Sequence, residues 1–141
     1  MTKEHDKIVK ELQNAILDGY SEKFKNEFMR PENIGRIEDP DTYVSVTGVC
    51  GDTIEIYLIV RDGKIIDIKF MTDGCGATIT CASYVTRTVK GKSLEKALRI
   101  KPQDVDEYFE SLPEEHKHCA KLAVITLTAA IEKYQSELNK K

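Results

Sequence analysis

The sequence feature that most constrains the fold is the dipeptide Asp62-Gly63, which lies between two runs of alternating apolar and polar residues. Apolar residues occupy every second position from Ile54 to Val60 in the first run and from Ile66 to Phe70 in the second. Alternation is typical of half-buried strands, and Asp-Gly is a strong signal for a two-residue hairpin turn. We therefore expect an antiparallel hairpin, with Tyr43–Thr47 as a short third strand before it.

Apolar residues at helical spacing occur on both sides of these strands. The pattern predicts a helix over about Lys3–Leu17 that ends near Gly19, and a short one over Tyr20–Phe28. The helices predicted after the hairpin are Ala77–Lys90, Ser93–Leu98, Pro102–Phe109 and a last one that begins between Pro113 and Cys119, with an apolar stripe of Ala123, Leu127, Ala130, Tyr134 and Leu138. This order predicts an α+β fold: a small antiparallel three-stranded sheet with helices packed on one face, plus an extra N-terminal helix.

Size, charge and hydropathy exclude several classes of protein. A chain of 141 residues has the usual length of a single domain. The formal net charge of -3 leaves no positive excess to neutralise a phosphate backbone, so no nucleic acid is expected as a partner. The apolar runs are too short to span a bilayer, so no membrane association is expected. The polar, acidic start of the chain resembles neither a signal peptide nor a transit peptide, which predicts a cytoplasmic protein.

In the cytosol, four cysteines are more typical of metal ligands or reactive thiols than of disulfides. Cys50 lies in Gly48-Val49-Cys50-Gly51-Asp52 just before the first hairpin strand, and Cys75 lies in Gly74-Cys75-Gly76 just after the second. Because the outer ends of a hairpin are adjacent, Cys50 and Cys75 are expected to lie together. Cys119 follows His118 near the start of the last helix, where unpaired backbone N–H groups favour the thiolate.

Three thiolates with the Asp52 carboxylate would suit Zn²⁺ or an iron–sulfur cluster, and an oxygen ligand is expected to make a cluster easier to release. The flanking glycines would let the backbone approach an inorganic group closely and adopt positive φ. Each motif alone is more typical of an ordinary turn, but the three together favour a metal site. Cys81 lies within a predicted helix and is expected to be a small core residue rather than a redox partner of Cys75.

The histidines are less informative than the cysteines. His118 is open to three roles: a spare ligand, a proton acceptor for Cys119, or a solvated residue at a helix start. His116 and His5 are expected at the surface. No Ser-His-Asp set, Walker loop or dinucleotide fingerprint is present.

From Tyr20 to Tyr134 the chain resembles the IscU/NifU N-terminal family of iron–sulfur cluster assembly scaffolds. The matching motifs are Tyr20-Ser21-Glu22-Lys23, Pro31-Glu32-Asn33-Ile34-Gly35, Gly48-Val49-Cys50-Gly51-Asp52, Phe70-Met71-Thr72-Asp73-Gly74-Cys75-Gly76, Val85-Thr86, Val89-Lys90-Gly91-Lys92-Ser93-Leu94, and Leu112-Pro113 with His118-Cys119-Ala120. Few unrelated families would share more than one of these motifs. The resemblance implies an N-terminal helical extension over residues 1–19 and a scaffold domain over 20–141.

The resemblance also implies roles for the site residues. Cys50, Cys75 and Cys119 would hold a nascent [2Fe–2S] or [4Fe–4S] cluster, with Asp52 as the fourth ligand or as the residue that controls release. His118 would be an alternative ligand. A cysteine desulfurase would supply persulfide sulfur, with Cys119 as its acceptor. The chain would join this sulfur to iron and pass the cluster to apoprotein acceptors or carriers, as a scaffold rather than an enzyme.

Several departures from the family pattern affect the expected partners. Relatives often carry Leu-Pro-Pro-Val-Lys, which an Hsp70-type chaperone grips, whereas this chain has two acidic residues in Leu112-Pro113-Glu114-Glu115-His116. That change argues against an Hsp70-type chaperone as a partner. Cys81 stands where relatives usually have Ser or Ala. The N-terminal extension, which many relatives lack, could mediate a homodimer.

Two other functions are compatible with the same cysteines. The first is that of the related SufU branch, a zinc-dependent sulfurtransferase partner of a cysteine desulfurase. Those relatives carry an insertion between the second and third cysteines, whereas the separation from Cys75 to Cys119 is 44 positions here, as in IscU without the insertion. The second is a structural zinc domain, against which the extent of the resemblance argues. Zinc can also compete with iron for the same thiolates in a purified sample.

Overall fold

The computed structural model describes residues 19–140 and contains the predicted three-stranded antiparallel sheet. The strands β1 (Thr42–Thr47), β2 (Thr53–Arg61) and β3 (Lys64–Thr72) lie in the order β1-β2-β3. Arg61 pairs with Lys64 across a two-residue turn, in which Asp62 has φ of 52° and Gly63 has φ of 73°. Positive φ at both turn positions matches the right-handed twist of the strands, so the predicted hairpin is confirmed.

One side chain of the hairpin lies on the opposite face from that expected. Alternation predicts Ile66 on the same face as Ile68, but Ile66 is 49% exposed and Ile65 is buried instead. The pairing register explains the difference, because Ile59 pairs with Asp67 while Val60 pairs with Ile65. The extra residue is a β-bulge, which reverses the order of inward and outward side chains beyond it.

Five α-helices and one 3₁₀ turn occupy the rest of the described chain. They are α1 (Glu22–Met29), α2 (Gly76–Val89), α3 (Leu94–Ala97), α4 (Pro102–Tyr108), the 3₁₀ turn Glu114–His116, and α5 (Lys117–Asn139). Each falls where helical spacing predicts it, and Ser93 caps α3 as expected by accepting from the N–H of Lys96. The helix predicted over Lys3–Leu17 lies outside the described residues, as does His5.

The core lies between one face of the sheet and the helices α2 and α5, as predicted. Ile56 and Phe70 project from the sheet into this layer, Val85 enters it from α2, and Leu127 enters it from α5. The predicted apolar stripe of α5 ends before Leu138, which lies one residue from the end of the helix and is 53% exposed. Within residues 19–140, no helix is long and apolar enough to cross a membrane.

The C-terminal end of α2 is tied to the hairpin turn by backbone hydrogen bonds. The N–H of Gly91 donates to the carbonyl of Ile65 at 2.7 Å, and the N–H of Ile65 donates to the carbonyl of Lys92 at 2.9 Å. The N–H of Leu94 donates to the carbonyl of Gly63 at 2.9 Å. Because α2 starts just after β3, its N-terminal end lies at the other end of the hairpin, where β2 begins.

A buried ion pair holds α1 against the middle of α2. The carboxylate of Glu27 is buried and accepts from the hydroxyl of Ser83 at 2.6 Å. The guanidinium of Arg87 donates two hydrogen bonds to the same carboxylate, from Nη2 at 2.7 Å and from Nε at 3.3 Å. Ser83 also accepts from the backbone N–H of Glu32 at 2.8 Å, so the segment after α1 is fastened to the same helix.

Candidate metal centre

Three structural elements bring three cysteines to the end of the hairpin away from its turn. Cys50 lies in the loop before β2, Cys75 is the N-cap residue of α2, and Cys119 lies in the first turn of α5. The loops before β2 and after β3 are joined by a hydrogen bond from the N–H of Thr53 to Asp73 Oδ1 at 2.8 Å. The hairpin thus aligns the two loops, and α5 adds the third thiol.

The potential ligands fall into two sets, each with its ligand atoms within 4.8 Å of one another. We call Cys75, His116 and Cys119 the Cys75 set, and Cys50, Asp52 and His118 the Cys50 set. The two sets touch where Cys119 Sγ lies 3.6 Å from His118 Nε2. All five residues expected from the sequence therefore lie in one region, although Cys50 is grouped with Asp52 and His118 rather than with Cys75.

His116 is a sixth potential ligand, and the expectation that it lies at the surface was wrong. Its ring is half-buried, and Nδ1 is buried without a hydrogen-bond partner among residues 19–140. His116 is the last residue of the 3₁₀ turn before α5, and its ring lies against that of Tyr20, with centroids 6.0 Å apart. The spacing of three between His116 and Cys119 is the sequence signal that could have identified it.

Thr78 is the second site residue that the sequence did not reveal. Its hydroxyl donates to Asp52 Oδ2 at 3.0 Å, and the same oxygen lies 3.4 Å from Cys119 Sγ and 3.7 Å from Cys75 Sγ. One hydroxyl thus contacts donors from both sets. Thr78 occupies the third position of α2, from which a side chain reaches back to the N-cap residue, so its spacing from Cys75 is the available signal.

The glycines beside Cys75 serve packing rather than positive φ, contrary to the expectation. A Cβ at Gly74 would lie 2.8 Å from the side chain of Thr78, and one at Gly76 would lie 2.3 Å from Cε2 of Phe28. Neither glycine has positive φ, whereas Gly51, next to Cys50, has φ of 91° with open space around it. The absent Cβ atoms therefore let α1 and Thr78 approach Cys75 closely.

The thiol that the structure prepares for ionisation is Cys75, not Cys119 as expected. Burial acts to raise the pKa of Cys75, but the N–H groups of Thr78 and Ala77 and the Thr78 hydroxyl outweigh it and lower the pKa. Burial raises the pKa of Cys119 to about 12, and the charge of Cys75 adds to the increase. The helix start therefore does not make Cys119 a thiolate in the metal-free chain, because its thiol is shielded from water.

Cys81 is fully buried among apolar neighbours, as predicted for a core residue. Burial raises the pKa of its thiol well above the usual value. A cavity of about 330 Å³ lies nearer the surface, between α1 and the Cys75 set. It is lined by Tyr20, Phe24, Phe28, Cys75, Gly76, Ala77 and His116.

The donor set matches the chemistry of zinc and iron. Thiolate and imidazole are ligands for both metals, and a carboxylate adds a harder oxygen donor. The cavity beside Cys75 and the exposed position of Cys50 leave these two thiols reachable from outside, whereas Cys119 is buried. These side chains can therefore hold a metal ion or a small cluster.

Comparison with known proteins agrees with this interpretation of the site. Residues 19–141 match the family of NifU-like N terminal domains. The chain is 44% identical over 116 residues to the iron–sulfur cluster assembly scaffold protein IscU 1 of Archaeoglobus fulgidus, covering 82% of this chain and 76% of that protein. It is 41% identical over 123 residues to the scaffold protein IscU of Escherichia coli K12, covering 84% and 95%.

The fold is likewise that of a solved relative. The crystal structure of the N-terminal part of a NifU-like protein from Brucella abortus superposes with a TM-score of 0.72 at 21% identity. The match covers 86% of this chain and 97% of that one. The shared fold agrees with the sequence match, which shows that this chain belongs to the family of NifU-like N-terminal domains.

Proposed function

We propose that the chain is a scaffold on which iron–sulfur clusters are assembled before delivery to other proteins. The observation that carries the proposal is the convergence of three thiols, a carboxylate and two imidazoles at one end of the hairpin. Family membership supports it, because relatives at 40–44% identity are named as iron–sulfur cluster assembly scaffold proteins. In this proposal Cys50, Asp52, Cys75 and Cys119 hold the cluster, and His118 is the alternative ligand.

A cysteine desulfurase would be the sulfur donor, with Cys119 as the acceptor. Opening of the site would expose Cys119 to water and remove the burial that raises the pKa of its thiol, so that it can lose its proton to solvent. The resulting thiolate would attack the outer sulfur of the desulfurase persulfide, the desulfurase thiolate would leave, and Cys119 would become a persulfide. Each transferred sulfur needs two electrons to become sulfide. For a [2Fe–2S] product, two ferrous ions supply two of the four electrons, and an external reductant supplies the others. Because Cys119 is buried, the site must open for this transfer.

Release of the iron–sulfur cluster would depend on Asp52. A carboxylate is a harder ligand than a thiolate, so it favours a soft iron–sulfur cluster less. The hydroxyl of Thr78 already donates to this carboxylate, and the same hydrogen bond can hold Asp52 when it leaves the iron. Apoprotein acceptors or carriers in the cytoplasm would then take a [2Fe–2S] or [4Fe–4S] cluster.

Anaerobic assembly tests the proposal. The metal-free chain is incubated with a cysteine desulfurase, cysteine, ferrous iron and a thiol reductant, and iron, sulfide and visible absorption are measured per chain. We expect a chromophore with matched iron and sulfide that is lost in Cys50→Ser and Cys75→Ser. Cys81→Ala is the matched control, because its thiol lies in the core rather than in either ligand set. That variant should assemble the chromophore as the unmodified chain does.

The opposite outcome would support the sulfurtransferase alternative. Tightly bound zinc, no chromophore, and faster turnover of the desulfurase in the presence of the chain would contradict a scaffold role. Loss of the chromophore in Cys81→Ala with the fold intact would instead add Cys81 to the site.

A further inference from the structure

We infer that the site opens by release of the connector between α4 and α5 (residues 109–116), and that Asp106 is the positioning residue that holds this connector closed. The inference rests on the proposed function, because it concerns how the buried thiol of Cys119 is exposed for sulfur transfer. It describes a movement of the metal-free chain, however, and can therefore be tested without a cluster or a desulfurase.

The connector leads directly to the buried thiol. It follows α4, which ends at Tyr108, and precedes α5, which begins at Lys117 and carries Cys119 in its first turn. At the end of the connector, a ring nitrogen of His116 lies within 4.8 Å of the Cys119 sulfur. Displacement of the connector therefore removes a side chain that lies against this sulfur and frees the helix turn that carries it.

The connector contains two residues with a strained backbone. Glu110 has φ of 59° and Ser111 has φ of 75°, a left-handed conformation that residues with a Cβ disfavour. The N–H of Glu110 donates to the carbonyl of Glu107 at 3.0 Å, and the N–H of Ser111 donates to that of Asp106 at 2.9 Å. This is the Schellman pattern at a helix end, in which glycine usually occupies the position of Glu110. Other contacts must therefore offset the strain of the closed connector.

The carboxylate of Asp106 supplies such contacts. Its Oδ1 accepts from the backbone N–H of Leu112 at 2.8 Å. The ammonium of Lys117 donates to the same carboxylate, at 3.3 Å to Oδ1 and 3.4 Å to Oδ2. The side chain of Leu112 is buried in the core and acts in the same direction. One carboxylate of α4 thus binds both the connector and the first residue of α5.

The contact between Asp106 and Lys117 can be broken reversibly, because water reaches both charges. Their side chains are 29% and 37% exposed, and both line a cavity of about 270 Å³ between α4 and α5. The pair that holds α1 differs, since the carboxylate of Glu27 is buried and breaking its bond to Arg87 would leave a charge without water. The structure therefore favours opening at the connector over opening at α1.

The test is alkylation of Cys119 in the folded, metal-free chain, measured by peptide mass spectrometry. Cys50→Ser and Cys75→Ser are introduced so that the exposed thiols do not react, and the buried Cys81 is the internal control. Asp106→Ala should increase the rate at Cys119 at least about tenfold, because a charged hydrogen-bond acceptor is lost, and leave the rate at Cys81 unchanged. Asp106→Asn keeps an oxygen acceptor and should increase the rate less.

Glu110→Gly tests the inference in the opposite direction. Glycine adopts the left-handed conformation without strain, so this variant should stabilise the closed connector and slow alkylation of Cys119 about twofold to fivefold. Glu107→Ala is the matched control, because Glu107 lies beside Asp106 on α4 and is exposed. Its side chain makes no hydrogen bond or ion pair within residues 19–140, and the variant should leave the rate unchanged.

An unchanged rate at Cys119 in Asp106→Ala would overturn the inference. Equal acceleration at Cys119 and Cys81 would overturn it too, because the whole chain would then be unfolding. If Asp106→Ala does not fold, Glu110→Gly decides the question, since a rate that does not fall contradicts a strained closed connector.

The two proposals can fail separately. Persulfide transfer from a cysteine desulfurase, measured in a single turnover on the chain with all its cysteines, should follow the same order of rates among the variants. Shifted alkylation rates without a persulfide on Cys119 would refute only its role as the sulfur acceptor. Normal cluster assembly with alkylation rates that do not shift would refute only this inference.

Discussion

The buried ion pair between α1 and α2 provides a quantitative test of how the site is held together. Glu27→Gln keeps the size of the side chain but removes its charge. The variant leaves Arg87 and Ser83 facing an amide that has one acceptor oxygen and an NH₂ group instead of two carboxylate oxygens. Because α1 covers the cavity beside Cys75, weakening this pair should also loosen the cover over the Cys75 set.

The expected loss follows from the contacts. Glu27 accepts three hydrogen bonds, two of them from Arg87. Breaking a fully buried pair costs about 3–5 kcal/mol. The side chain of Arg87 is 35% exposed, so water compensates part of the loss. We therefore expect the free energy of unfolding to fall by about 2–4 kcal/mol. With a urea m-value of about 2 kcal/mol/M, the unfolding midpoint should fall by about 1–2 M.

The assay is urea unfolding of the metal-free chain at neutral pH, with hydrogen exchange of the α1 amides as a local readout. Glu32→Gln is the matched control, since Glu32 pairs with the same Arg87 but at 3.5 Å and with 59% exposure. Exposed pairs contribute about 0–1 kcal/mol, so this variant should change the midpoint little. Equal losses in the two variants, with unchanged α1 exchange in Glu27→Gln, would refute the assigned role of the buried pair.

Four further predictions concern the cysteines and their neighbours. In the folded, metal-free chain, an alkylating agent should modify Cys50 and Cys75 well before the buried Cys81, as measured by peptide mass spectrometry; similar rates would contradict the burial described above. Asp52→Ala should retain an assembled cluster longer in the presence of an apoprotein acceptor, because the oxygen ligand is gone, and faster loss would make Asp52 a stabilising ligand instead. Gly76→Ala should lower the free energy of unfolding by about 1–3 kcal/mol, because its Cβ would meet an aromatic ring of α1 at 2.3 Å; an unchanged urea midpoint would contradict this. The raised pKa of Cys81 means that the unfolded chain releases this proton at lower pH than the folded chain, so stability should fall as the pH rises above about 9. Cys81→Ala should flatten that decline in urea unfolding measured from pH 8 to 10, and an equal slope would count against the shift.

The sheet and helices were predictable because local signals agree with the tertiary structure. Asp62-Gly63 specifies the turn, alternation specifies the strands, and Ser93 is a standard helix cap. The bulge at Ile66 was not predictable, because both Ile65 and Ile66 are apolar and either could face the core. The exposure of Leu138 depends on how much of α5 is covered by other elements, and spacing within the helix carries no information about that.

The parts of the candidate site whose positions follow from the chain topology were predictable from the sequence. The hairpin brings the loops of Cys50 and Cys75 to one end, and this follows from strand pairing alone. For the inward position of His116, the signal in the sequence is its spacing of three from Cys119, whereas the neighbouring Glu114 and Glu115 are typical of an exposed segment. The protonation of Cys119 depends on burial by surrounding elements, which overrides the favourable effect of a helix start.

The fastening of α2 to the hairpin turn has a geometric consequence for the cysteine at its other end. A helix of 14 residues is about 21 Å long, so Cys75 lies that far from the backbone hydrogen bonds that hold Gly91 and Lys92. A tilt of only about 6° about that fixed end would carry Cys75 by about 2 Å, close to the length of one zinc–sulfur bond of about 2.3 Å. A small rotation of one helix, with the sheet left intact, is therefore enough to make or break a metal–thiolate bond.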